Sequence, residues 1–296
     1  MAAATATTAT TAVMEQVPIT EAIFRPDLWV GRDQWEANAV SFVWRYWWFF
    51  LVMGVAYLPI IFGLKYWMKD RPAFNLRRPL ILWNIFMATF STAGFLSIVY
   101  PLIENWVYPG GGLTPHEFIC SASYSYKFGD CAIWVFLFNM SKILEFVDTI
   151  FIVPRKTHLG FLHYYHHIIT YSFCLYAGQY MHHYNCGGYF FCLMNFFVHG
   201  IMYFYYALRS MGFRPSFDIG ITFLQILQMV LGVAIITISA GCEKVDPIGT
   251  TFGYFIYFSF FVLFCKFFYY RYIATPAKKP EAAAKSPATK PKRKHD

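Results

Sequence analysis

Charge is scarce in this chain. Only 14% of its 296 residues are Asp, Glu, Lys or Arg, where a soluble domain carries about a quarter. Hydrophobic residues make up 57%, and the mean hydropathy is +0.41. A soluble globular domain is excluded, and a polytopic membrane protein built as one helical bundle remains. Paired cysteine motifs are also lacking. Seven Cys are scattered without a CxxC, which leaves most of them as packing residues in apolar segments. Residues 1–14, MAAATATTATTAVM, lack the basic start and apolar core of a signal peptide and the Arg content of a transit peptide. They read as disordered. The net charge is +8, but seven Lys/Arg against two acids after Thr275 leave a net +5 in the tail. With no folded basic patch, nucleic acid is excluded as a partner.

Aromatic residues are plentiful at 22%, with 33 Phe and 22 Tyr. Such bulk suits a filled interior and rings at the water–lipid boundary. The chain divides into a disordered segment and interfacial lead-in over 1–43, a transmembrane domain over 44–273, and a disordered basic tail over 274–296. The expected class is all-α, with seven membrane spans. Each runs near the ~20 residues that cross a ~30 Å hydrocarbon core. They cover 46–64, 80–103, 131–153, 161–179, 188–208, 217–240 and 250–272.

Every odd-numbered span is followed by basic residues, including Arg155 and Lys156 after the third and Arg209 and Arg214 after the fifth. The intervening loops are poorer in Lys/Arg. The positive-inside rule then predicts a non-cytosolic N terminus and a cytosolic C terminus. On that topology Cys120 and Cys242 share the non-cytosolic side, where an oxidising lumen permits a disulfide. Lys292 and Lys294 are the fifth and third residues counted back from the end, the spacing of a cytosolic dilysine retrieval signal. An endoplasmic reticulum membrane is the expected location.

The chemistry gathers between Lys142 and His167, KILEFVDTIFIVPRKTHLGFLHYYHH. Lys142, Glu145 and Asp148 recur every three residues and form one polar stripe on a helix. Charges at membrane depth cost about 2.5–3.5 kcal/mol each and therefore pair or face a wet cavity. A purely structural network that locks helices together is one reading, and a reactive site is the other. His163, His166 and His167 lie at i, i+3 and i+4, on one side of a helix. Imidazole serves as base, acid, nucleophile or metal ligand, so the cluster says chemistry or metal without choosing. Further along, Asn195 and His199 share a face that Tyr203 and Tyr206 continue. Thr222, Gln225 and Gln228 are spaced by three, which suits interhelical hydrogen bonds.

These residues together resemble the ELO family of fatty acid elongases, the membrane 3-ketoacyl-CoA synthases. Its KxxExxDT pattern matches Lys142, Glu145, Asp148 and Thr149, and HxxHH matches His163, His166 and His167. NxxxHxxMYxYY matches Asn195, His199, Met202, Tyr203, Tyr205 and Tyr206, and TxxQxxQ matches Thr222, Gln225 and Gln228. The resemblance spans roughly Tyr46 to Tyr272. It implies six helices in an inverted barrel around an acyl-chain tunnel, with the first span outside. It implies condensation of a fatty acyl-CoA with malonyl-CoA to a 3-ketoacyl-CoA, releasing CO2 and CoA, with no metal and no cofactor beyond the two substrates. Implied partners are the bilayer, a ketoacyl reductase, a dehydratase and an enoyl reductase, and a second copy of the chain in a homodimer.

By its place in the motif, His166 is the expected nucleophile, forming an acyl-imidazole. His199 would engage malonyl-CoA, while His163 and His167 orient and tune the pair. Asn195 and Gln225 are candidate donors to the enolate oxygen. Lys142, Glu145, Asp148, Tyr203, Tyr206 and Gln228 would form the supporting network. Arg155, Lys156, Arg209 and Arg214 would meet the CoA phosphates. Relatives acting on polyunsaturated chains tend to carry Gln five residues before the histidine box. His158 stands there in this chain, which points to saturated or monounsaturated substrates. Two rival classes share parts of the pattern. A di-iron desaturase or hydroxylase also uses HxxHH, though with a larger set of histidines than this chain gathers. A seven-span transporter or receptor would instead need an open polar path across the bilayer.

Overall fold

The computed structural model describes residues 42–107, 115–120, 129–179, 187–242 and 245–274. Among them every regular element is a helix. They are α1 Trp47–Trp67, α2 Arg77–Val107, α3 Pro115–Cys120, α4 Gly129–Leu144, α5 Phe146–Ile152, α6 Phe161–Gln179, α7 Gly187–Met211, α8 Asp218–Ala240 and α9 Pro247–Phe268, the last continued by a π-turn over Tyr269–Ile273. The N-terminal Ala/Thr segment and the basic tail lie outside the described residues.

Among the described residues, five helices are long and apolar enough to cross a membrane: α1, α2, α7, α8 and α9. The protein is a multi-pass membrane protein. The two expected spans missing from that set are those that carry the Lys142-Glu145-Asp148 stripe and the three clustered histidines. The third is interrupted at Glu145, which divides it into α4 and α5. The Asp148 N–H bonds the Glu145 carbonyl three residues back at 3.0 Å, so the helix tightens by one turn there. The fourth, α6, keeps its expected limits, but its three histidines lower its hydropathy.

Helix ends follow local chemistry. Asp246 caps α9, accepting from the Ile248 and Gly249 N–H groups at 3.1 and 2.9 Å, with Pro247 at the first helical position. α7 stops at Gly212, whose φ of +103° favours glycine. Arg77 from the start of α2 donates to the freed carbonyls of Ser210 and Met211, both at 2.9 Å. The turn after α5 uses the same device with Lys156 at φ +53°. There the Lys156 ammonium donates to the Lys69 carbonyl at 3.1 Å, tying the loops that follow α1 and α5.

Packing runs α2 on α7, α7 on α8, α8 on α9, α9 on α6, α6 on α4 and α4 on α2, while α1 lies on α6 and α5. The α2–α7 contact is close because glycines face it. A side chain at Gly94 would strike the Phe196 ring, and one at Gly200 would press on Thr92. Phe42 and Val43, the last residues of the expected lead-in, are buried with Tyr46 against Phe50 and Phe136.

Cys120 and Cys242 are joined by a disulfide that bridges 122 residues and fastens α3 to the end of α8. Cys174, Cys192 and Cys265 are thiols. Non-reducing peptide mapping is expected to recover the 120–242 cross-link with Cys174, Cys192 and Cys265 as free thiols. Cys120→Ser should lower stability by about 2–4 kcal/mol, read as a fall in the melting temperature of detergent-solubilised protein.

Candidate active site

Four helices, α4 to α7, bring most of the polar motif residues into one apolar interior. At the end of α4, Lys142 is 2% exposed, and so is Glu145 in the tightened turn. The Lys142 ammonium donates to Glu145 Oε1 at 2.6 Å and to Asn195 Oδ1 on α7 at 2.9 Å, and it lies 4.0 Å from the centre of the Phe138 ring. Its donors thus meet a carboxylate, an amide oxygen and a π-face, which offsets the desolvation of the charge.

His199 is one turn beyond Asn195. Its Nδ1 lies 3.5 Å from the same Glu145 Oε1 that Lys142 holds. A carboxylate beside Nδ1 favours the proton there, which leaves Nε2 with the free lone pair. The His166 ring from α6 is 6.2 Å from the His199 ring, centre to centre. Two imidazoles from different helices therefore meet in ring contact. His166 packs on Phe260 at 5.1 Å and on His167 at 5.5 Å, and His167 packs edge-on against His163 at 4.4 Å. His167 is buried, and its Nδ1 has no hydrogen-bond partner. His163 and His166 keep partial exposure.

Asp148, one turn on, has two neutral donors. Trp83 Nε1 on α2 donates to Oδ1 at 2.5 Å, and the Tyr203 hydroxyl on α7 donates to Oδ2 at 2.6 Å. Tyr203 in turn lies against His199 at 5.6 Å and Tyr206 at 6.5 Å. Lys142, Glu145, Asp148, Asn195, His199 and Tyr203 thus form one network beside the three histidines of α6. The glutamines differ. Gln225 gives its amide nitrogen to the Met202 sulfur at 3.6 Å, and Gln228 is buried within α8.

Arg155 and Lys156 follow α5, and Arg209 and Arg214 flank the end of α7. These cations complement the helix C-termini. Lys156, Arg209 and Arg214 are exposed, while Arg155 is half-buried. Sequence reasoning missed Trp83 and Arg77, and gave Thr149 no role. A Trp in an apolar span carries no signal that its N–H serves an acid 65 positions away. Among the described residues, no three His, Cys, Asp or Glu side chains are arranged to hold a metal ion.

A cavity of about 180 Å³ lies farther along the same helices. Its walls include Cys174 and Tyr176 of α6, Gly188 and Cys192 of α7, Ile236 of α8 and Tyr257 of α9. From His166 to Tyr176 the helix rises roughly 15 Å. At the far end the Tyr176 hydroxyl donates to Asp246 Oδ2 at 2.5 Å. Apart from this pair the lining is mostly apolar.

The model of the family described as ELO: GNS1/SUR4 matches residues 42–280. "Putative fatty acid elongase 3" of Caenorhabditis elegans is 38% identical over 246 residues, covering 80% of this chain and 74% of its own. "Very long chain fatty acid elongase 6" of Drosophila melanogaster is 38% identical over 251 residues, 81% of this chain and 76% of its own. The protein of that name in Homo sapiens is 35% identical over 258 residues, 83% of this chain and 93% of its own.

Removing one partner of the central pair should cost more than removing both. Lys142→Ala leaves the Glu145 charge buried without its cation, an expected loss of about 3–5 kcal/mol. Lys142→Met combined with Glu145→Leu should recover most of that loss. Melting temperatures of the purified variants check both statements.

Proposed function

The chain belongs to the GNS1/SUR4 (ELO) family, and we infer that it is the condensing enzyme of fatty acid elongation, joining a long-chain acyl-CoA to malonyl-CoA. It is an acyltransferase of the membrane. The observation that carries the mechanism is the His166–His199 pair, 6.2 Å apart and drawn from two helices. His166 attacks the acyl thioester carbonyl through its lone-pair nitrogen. The C–S bond breaks, and the CoA thiolate leaves with the proton that the acyl-imidazolium sheds. Malonyl-CoA then loses CO2, and the electron pair of the broken C–C bond forms an enolate. Its α-carbon attacks the acyl-imidazole carbonyl and releases the 3-ketoacyl-CoA. The freed imidazolate takes a proton from solvent, the one proton that the overall condensation consumes.

The developing enolate oxygen needs donors placed in advance. Asn195 suits this role because Lys142 occupies its oxygen and leaves the amide nitrogen to donate. His199 serves the malonyl group, with Glu145 setting its proton on Nδ1. Asp148, Trp83 and Tyr203 hold α2 and α7 in register around the pair. The four basic residues after α5 and α7 meet the CoA phosphates. The reading needs no metal.

The helix neighbours return to their starting point, from α2 through α7, α8, α9, α6 and α4 back to α2. This supports a six-helix barrel with α1 outside, and counts seven spans when α4–α5 and α6 are included. The cavity beyond the histidines suits the end of the acyl chain. Saturated or monounsaturated substrates are proposed, with His158 ahead of the box. The enzyme would lie in the endoplasmic reticulum with the basic loops in the cytosol. Its ketoacyl product would pass to a reductase, a dehydratase and an enoyl reductase.

Purified protein given labelled malonyl-CoA and a panel of acyl-CoAs is expected to release 3-ketoacyl-CoA. Intact mass should show an acyl adduct in the wild type that is absent from His166→Ala. Product without an adduct would move His166 to a base role, and no product with any acyl-CoA would sink the condensation reading. Gly188 probes the cavity, because a side chain added there meets no atom within 4 Å, whereas one at Gly232 would strike Tyr257. Gly188→Leu should shift the preferred acyl chain shorter by about one two-carbon step while leaving the fold intact, as read from the product profile.

A further inference from the structure

The first span is not only a flank to the site. Tyr57 of α1 is 3% exposed, and its hydroxyl lies 2.8 Å from Thr149 Oγ1 on α5. Thr149 is fully buried, and the same oxygen lies 2.9 Å from His163 Nε2 on α6. Three helices therefore meet in one chain of hydrogen bonds, from a phenol through an alcohol to an imidazole. Two other contacts hold the phenol in place. Its ring stacks on Phe146 at 4.1 Å and lies 6.3 Å from His167.

Counting protons fixes the direction of the chain. The Tyr57 hydroxyl has one proton, and Thr149 is its hydrogen-bond partner. If Tyr57 donates to Thr149, the Thr149 proton is free to go to His163 Nε2, both buried hydroxyl protons are used, and the remaining proton is the Nδ1–H of the partly exposed His163. If His163 donates instead, either Thr149 donates to Tyr57 and the buried phenol proton is left unpaired, or Tyr57 also donates and the buried Thr149 proton is left unpaired. A buried unpaired donor costs about 1–3 kcal/mol, so the forward direction is preferred.

We propose that Tyr57 is a positioning residue for the histidine site. Through Thr149 it holds His163 as the neutral tautomer with the proton on Nδ1 and the lone pair of Nε2 accepting. His163 packs at 4.4 Å on His167, which packs at 5.5 Å on His166. The orientation of the first histidine thus sets the stack that carries the nucleophile. The proposal rests on the reading of His166 as the reacting group.

The test joins a spectroscopic readout to kinetics. Nitrogen-15 NMR of histidine-labelled protein in lipid nanodiscs reports which ring nitrogen bears the proton, with the His163 signals identified by their loss in His163→Gln. The expected result is a pyridine-type Nε2 and a pyrrole-type Nδ1. Tyr57→Phe keeps the ring stack on Phe146 and removes only the hydroxyl. It should lower kcat by about ten- to a hundredfold, hold KM for both CoA substrates within about twofold, and perturb the His163 signals. Thr149→Val should match it, and Thr149→Ser, which keeps the hydroxyl, should restore kcat. A pyrrole-type Nε2 in the wild type would overturn the proposal, as would an unchanged kcat in Tyr57→Phe. A loss of kcat together with raised KM and a lowered melting temperature would mark plain packing and equally overturn it. Should the wild type condense no substrate, the functional reading fails, and the spectrum still decides the tautomer.

Discussion

The structure depends on one buried cation. An ammonium taken out of water must replace its hydration with fixed partners, and Lys142 finds them in Glu145, Asn195 and the face of Phe138. Two of these belong to its own polypeptide segment, and the third belongs to α7. The register of α4 against α7 is therefore set by a charge whose misplacement would leave it unpaired in an apolar medium. Glu145 is shared between Lys142 and His199. The contact that fixes the fold is thus also the contact that orients a candidate reacting group, so fold and site cannot vary independently.

The same logic extends one turn along the helix. Three residues turn an α-helix through about 300°, so a stripe at every third position drifts around the axis. Lys142 and Glu145 meet α7, while Asp148 reaches both α7 and α2 through Tyr203 and Trp83. Thr149, the next residue, turns toward α1 and α6. A short polar segment thereby contacts four other helices. The tightened turn at Glu145 lets these side chains fan out from one point, at the expense of an uninterrupted span.

The residues of the site were legible in the sequence, because charges and histidines are costly in apolar segments and stand there only where a partner or a reaction holds them. The length of α6 was legible for the same reason that any apolar run is. Their pairings were not. Asn195 lies 53 positions from Lys142, Tyr203 lies 55 from Asp148, and Tyr57 lies 92 from Thr149. Periodicity reports which face a residue occupies on its own helix and is silent on which helix faces it. Trp83 and Tyr57 were hidden because an aromatic in a membrane span is ordinary, and only its polar tip distinguishes it. The break at Glu145 was hidden because no Pro or Gly marks it. Gln225 shows how far spacing reaches: it suited an interhelical hydrogen bond, and the amide nitrogen does bond across to α7, but the partner, Met202, could not be read from spacing.

Polarity along the helices gives the site a direction. α6 begins with histidines and ends with Phe173, Cys174 and Tyr176 beside the cavity. α7 runs antiparallel in this respect, from Tyr189 and Cys192 at the cavity to Asn195, His199 and the basic residues at its end. α4 likewise passes from Val135 and Asn139 at the cavity to Lys142. Each helix therefore places its charged or titratable groups at one end and its apolar surface at the other. A ligand with a charged head and a hydrocarbon tail can enter such an interior in one orientation without stranding the head among apolar side chains or the tail among charges. His166 and His199 stand where the polarity changes, between the charged end and the cavity. The arrangement that lets charged groups survive in a membrane is thus the one that grades the interior from polar to apolar along a single direction.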